Sequence, residues 1–76
     1  MELNEFVEKF AEQFDDTDAS AITASTDFKA LDEWSSLIAL SIIAMADEEY
    51  DVTLKGDDIR NATTIEDLFN TIKAKA

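Results

Sequence analysis

The sequence predicts an all-α fold: a four-helix bundle of three longer helices and one short third helix, with a long loop between helices one and two. Two observations carry this. Apolar residues recur at spacings of three and four in separate stretches, and no segment alternates with the period of two that a half-buried strand requires. At 76 residues the chain makes a single domain, 1–76, near the lower size at which a hydrophobic core holds a fold without staples.

With one Gly and no Pro, element ends must be read from periodicity and from clusters of Ser, Thr, Asp and Asn. Leu3, Phe6, Val7, Phe10 and Phe14 form one apolar helical stripe, opposite Glu5, Glu8, Lys9, Glu12 and Gln13. The helix is expected to fade at Asp15-Asp16-Thr17-Asp18, whose short polar side chains compete for backbone hydrogen bonds. From Thr17 to Glu33 there is no sustained period, so the segment reads as a connection pinned to the core at Ile22, Phe28 and Leu31. Structureless loops longer than about 12 to 15 residues are uncommon and often functional.

Leu37 to Val52 is apolar around most of a helix, as in a central helix or one whose second face meets something else. Ser35 or Ser36 is placed to cap it. Its far end collects Asp47, Glu48, Glu49 and Asp51, which opposes the helix dipole and argues for a purpose other than stability. Gly56-Asp57-Asp58-Ile59-Arg60 suits a short helical turn packed through Ile59. Thr63 and Glu66 stand at capping-box spacing before Ile65, Leu68, Phe69 and Ile72, and Lys73 and Lys75 fall in the last turn, where the dipole favours cations.

Composition removes whole classes of chemistry. Without Cys or His the chain can form no disulfide, no zinc–thiolate site, no Ser-His-Asp triad and no Cys-His dyad. Eighteen acids against six bases give a net charge of −12, which repels nucleic acid and anionic lipid and favours partners with basic surfaces. The acidic clusters lack the loop pattern of a specific calcium sensor, so no metal site is expected. Met1-Glu2-Leu3-Asn4 opens no basic-then-apolar leader, and no apolar run approaches the length of a membrane span. The expectation is a cytoplasmic monomer that does not insert into membranes.

Three blocks then stand out: Leu31-Asp32-Glu33-Trp34-Ser35-Ser36-Leu37, the acidic-aromatic close Asp47-Glu48-Glu49-Tyr50-Asp51-Val52, and Ala62-Thr63-Thr64-Ile65-Glu66-Asp67-Leu68. In order and spacing the chain resembles an acyl carrier protein over essentially its whole length. The resemblance implies a non-enzymatic carrier of acyl thioesters on a 4′-phosphopantetheine arm attached to Ser36, placed there from coenzyme A by a phosphopantetheinyl transferase. It would serve acyl-loading and acyl-processing enzymes of fatty-acid or accessory acyl biosynthesis. The chemistry is consistent with the residues: a phosphodiester at a helix start meets unpaired N–H groups, and the arm brings the thiol the polypeptide lacks.

By the same resemblance, Ser35, Leu37, Ile38, Ser41, Asp47, Glu48, Asp51, Asp57 and Asp58 dock partners, and Ile43, Ala46, Tyr50, Leu54, Ile59, Ala62 and Phe69 line an acyl pocket. As plain residues these sets read equally as solvated surface and core. The chain departs from the family pattern at Ser35, where the pattern has Asp, and at Ile38 and Ser41, where acids are common. The edge nearest the site is therefore unusually neutral. Trp34 reads either as a mark of accessory carriers or as a core anchor. Peptidyl and D-alanyl carriers share the fold and arm, and an unmodified acidic interaction module is the rival of a different class.

Overall fold

Four helices follow one another in the computed structural model, which describes residues 2–76: α1 (Leu3–Ala11), α2 (Ser36–Tyr50), α3 (Gly56–Asn61) and α4 (Ile65–Lys75). Met1, where the sequence reading begins, lies outside the described residues. There is no strand among the described residues, and the architecture is the all-α bundle with a short third helix. The Cα radius of gyration is 11.0 Å.

Aromatic packing joins α1 to its neighbours. Phe6 is fully buried, and its ring lies 6.0 Å from Phe10, 5.9 Å from Tyr50 and 5.7 Å from Phe69, so α1, α2 and α4 meet on one side chain. Burying such a ring contributes about 1.5 to 3 kcal/mol. Phe10 continues the cluster to Phe14 and Phe28.

The first helix ends earlier than its stripe suggests. After Ala11 the chain tightens, Gln13 N–H bonding the Phe10 carbonyl and Phe14 N–H that of Ala11, both at 3.1 Å. Phe14 is buried from this turn rather than from the helix. Beyond it, the N–H groups of Asp15 and Asp16 donate to the Glu33 carboxylate at 2.7 and 3.0 Å, so the backbone has a better acceptor than the helix could offer.

The long connection is ordered by its own short side chains. Two single 3₁₀ turns, Ala19–Ala21 and Phe28–Ala30, are opened by Asp18 and Asp27, whose carboxylates accept from Ser20 N–H and Lys29 N–H. Ile22 and Phe28 are buried and Leu31 is half-buried, the three anchors read from the sequence. The loop also fastens the last helix: Ile65 N–H donates to Thr26 O and Glu66 N–H to Ala24 O, satisfying two first-turn donors that α4 cannot.

At α4 the capping box is present one residue later than the spacing implied. Thr64 Oγ1 accepts from Asp67 N–H at 3.1 Å, and Asp67 accepts from Thr64 N–H and Thr63 N–H at 3.0 and 3.1 Å. Aspartate serves at the third position because the shorter side chain still reaches back, and Glu66 is left in solvent. These bonds, the one from Thr64 N–H foremost, hold the Asp67 carboxyl below its ordinary pKa.

Two of the acids at the end of α2 have structural work. Glu49 pairs with Lys9 of α1 at 3.0 Å, and this bond raises the lysine pKa. Asp51 leaves the helix in the left-handed region, φ 56° and ψ 40°, which Asp tolerates better than most residues. The expectation that this acidic run has no part in stability is corrected for Glu49.

Candidate functional site

Ser35 rather than Ser36 caps α2. Its Oγ accepts from Ile38 N–H at 3.3 Å and its carbonyl from Ala39 N–H at 3.0 Å. Ser36 is the first residue of the helix, exposed, with a hydroxyl not engaged in capping. The N–H groups of Ser36 and Leu37 find no acceptor among the described residues. A hydroxyl standing in solvent beside two free amide donors and the positive end of a helix is well placed to carry a phosphate ester.

The approach to this serine is held from both sides. Glu33, whose carboxylate takes Thr17 Oγ1 at 2.7 Å as well as the two backbone donors, has its pKa lowered, first by the threonine hydroxyl. Next in sequence, Trp34 meets Phe28 edge to face at 4.9 Å and stacks near Phe14 at 6.4 Å. It is half-buried, anchoring the loop with one part of its ring and exposing another.

That other part borders a cleft of about 430 Å³ between α2 and α3. Ser35, Ser36, Ala39, Leu40 and Ile43 line it from α2, Gly56, Ile59 and Arg60 from α3, and Lys29 and Trp34 from the loop. Of the expected acyl-pocket residues, Ile43 and Ile59 lie in this lining. Ala46, Leu54 and Ala62 are buried in the core. Tyr50 and Phe69 turn toward Phe6 of α1 and do not border the cleft.

The expected docking residues do not form one patch. Along α2, at 100° per residue, Ser36, Leu40 and Asp47 share one line, with Leu37, Ser41 and Glu48 on the next. Leu37 and Leu40 are 73% and 61% exposed, large apolar side chains at the upper end of an exposed strip whose lower end is Asp47 and Glu48. Those acids lie about 16 Å along the axis from Ser36. Ile38 is half-buried against the core, while Ser41 and Glu48 border a smaller groove with Glu12 and Glu49.

On α3, Asp57 pairs with Arg60. Asp58 accepts from Lys55 N–H at 2.9 Å and meets Lys75 at 3.3 Å, contacts that lower its pKa, the backbone bond most. Along α2 the expected docking residues are thus apolar beside the serine and acidic only three turns away.

A comparison with protein-family models matches residues 4–72 to the phosphopantetheine attachment site family. The chain belongs to this phosphopantetheine-binding carrier family. Its members hold 4′-phosphopantetheine, are modified by phosphopantetheinyl transferases and deliver their cargo to enzymes, acting as carriers rather than catalysts. Comparisons with curated proteins and with solved structures find no match. No helix among the described residues is long and apolar enough to cross a membrane, and no three carboxylates among them are grouped to hold a metal.

Sequence reasoning missed Leu40, Lys29 and Arg60. Leu40 could have been found from its place one helical turn after Ser36. The two cations come from segments remote in sequence, and only the fold brings them to the cleft.

Proposed function

We propose that this phosphopantetheine-binding carrier holds its arm on Ser36 Oγ and presents acyl groups as thioesters to partner enzymes of fatty-acid or accessory acyl biosynthesis. The carrying observation is Ser36 itself: exposed, spared from capping by Ser35, and beside two unpaired N–H groups at the mouth of a largely apolar cleft. In the modification, Ser36 Oγ bonds to phosphorus as a phosphoanhydride bond of coenzyme A breaks. The nucleotide half leaves, and the hydroxyl proton passes to a base of the transferase. When bound, the arm supplies the thiol on which acyl groups ride.

The protein's own residues then orient and shield. Donors at Ser36 and Leu37 meet the phosphodiester, Trp34 and Ile59 offer apolar surface to the cargo, and Leu37 with Leu40 gives partners an apolar foothold beside the arm. Asp47 and Glu48 steer basic partners, a field effect that raises association rates about ten- to a thousandfold.

Intact mass after co-expression with a transferase tests the reading. A gain of about 340 Da that Ser36→Ala abolishes and Ser35→Ala retains supports it. A gain that persists in Ser36→Ala, or none in the wild type, overturns it. For the steering role, charge reversal at Asp47 and Glu48 slows modification at low salt; an unchanged rate removes that role.

A further inference from the structure

None of the eighteen acids lines the cleft beside Ser36, whereas two of the six bases, Lys29 and Arg60, do. In a chain of net charge −12 this is an inversion of the general composition at a cavity that opens on the candidate attachment serine.

Both cations are positioned rather than free. Lys29 Nζ donates to the Arg60 carbonyl at 2.9 Å and lies 5.8 Å from the centre of the Phe28 ring. No carboxylate is within ion-pair distance of it among the described residues. The Arg60 guanidinium folds back along α3, Nη1 standing 4.0 Å from where a Cβ on Gly56 would lie, and pairs with Asp57 through Nη2. Both are thus placed at the loop and α3 side of the cleft, across from Ser36 on α2. A phosphodiester on Ser36 has its own donors in the first turn of α2, which leaves Lys29, without a carboxylate partner among the described residues, and Arg60, shared with Asp57, for something farther along the arm. Between them the surface is apolar, formed by Trp34, Ile43 and Ile59.

We propose that this cleft selects acyl cargo ending in an anionic group, a carboxylate-terminated chain, over a neutral chain of equal length. The proposal rests on the reading of Ser36 as the attachment point. The apolar stretch covers the methylenes and the Lys29–Arg60 pair receives the terminal carboxylate, so the thioester is held against the protein and screened from water.

Trp34, the single tryptophan, lines the cleft and reports its occupancy. The experiment compares protein bearing the arm alone with protein loaded with butyryl, pentanoyl, succinyl and glutaryl groups, loading being verified by intact mass. The readouts are Trp34 emission and the rate of spontaneous thioester hydrolysis. The dicarboxylic cargoes are expected to shift the emission and, with each rate taken relative to the same thioester on free pantetheine so that attack by the cargo's own carboxylate cancels, to be protected from hydrolysis about two- to fivefold more than neutral chains of the same length, the scale of an exposed ion pair. This difference should disappear at high salt and in K29Q and R60Q. R60Q leaves the Lys29 contact to the residue-60 carbonyl available, and circular dichroism verifies its fold.

Equal behaviour of neutral and anionic cargoes, or a difference that survives both variants, overturns the proposal. A salt-sensitive Trp34 shift with the arm alone also overturns it, by assigning the cations to the phosphate. Absence of the mass gain at Ser36 instead sinks the attachment reading. Titration of the unmodified protein with free glutaryl-pantetheine then decides the cleft's preference separately, against pentanoyl-pantetheine.

Discussion

The carboxylate of Glu33 receives the hydroxyl of Thr17 at 2.7 Å, binding the residue two before the α2 cap to the segment that follows the turn closing α1. With the N–H groups of Asp15 and Asp16 on the same carboxylate, one side chain fixes both ends of the loop preceding Ser36. The pKa of Glu33 is lowered in the fold, so its contribution is present above the ordinary glutamate value of about 4.3 and is lost as pH falls through the folded value. Asp18, Asp58 and Asp67 are lowered too and act in the same direction. The melting temperature should therefore drop steeply below about pH 4. Glu33→Gln should melt lower at pH 7 with a shallower acid limb, the two curves converging in acid. Parallel curves would show that the network contributes nothing to the pH dependence.

Asp51 ends α2 with φ at 56°, where a Cβ is disfavoured and Gly is at ease. Asp51→Gly should stabilise the protein by up to about 1 kcal/mol in urea unfolding. A loss of stability would mean that the carboxylate, not the backbone geometry, matters there.

The hydroxyl of Tyr50 is buried without a hydrogen-bond partner, while its ring packs on Phe6. Tyr50→Phe keeps the ring and removes an unsatisfied group, so it should raise stability by about 1 kcal/mol. Burial raises the Tyr50 pKa, and the Glu49 contact raises that of Lys9. Both contributions are present below about pH 10 and are lost as pH rises through the folded values. Tyr50→Phe should accordingly soften the alkaline limb of the melting curve, and an unaltered limb would assign it to Lys9.

Four ion pairs join the described residues of a chain carrying eighteen acids, leaving most of its negative charge uncompensated. Millimolar magnesium or moderate salt should raise the melting temperature, by roughly 4 to 8 °C for each kcal/mol of repulsion relieved. A melting temperature indifferent to both would show that self-repulsion costs the fold little.

The helices were legible because their periodicity is local: Phe6 and Phe10 announce α1, and Ile65, Leu68 and Ile72 announce α4. The ends were less so. Phe14 keeps the helical spacing, but Glu33, far along the chain, claims the following amides, and Thr63 and Thr64 are indistinguishable as caps until the loop carbonyls fix the register. At the site, Ser36 was legible through the blocks around it. The cleft's composition was not, since Lys29 and Arg60 are adjacent only through the contact of Lys29 with the Arg60 carbonyl. Tyr50 and Phe69, apolar and near the right elements, turned to α1 because Phe6 offers each a ring at under 6 Å.

The carbonyls of Ala24 and Thr26 that receive Glu66 and Ile65 join segments some forty positions apart, so this clasp can close only when most of the chain is in place. Because the acceptors belong to the loop and not to α4, these two amides should open when the loop lifts rather than when α4 frays. Hydrogen exchange at Ile65 and Glu66 would then time the breathing of the loop that carries Lys29 and Trp34, and so the rate at which the cleft can admit or release what it holds.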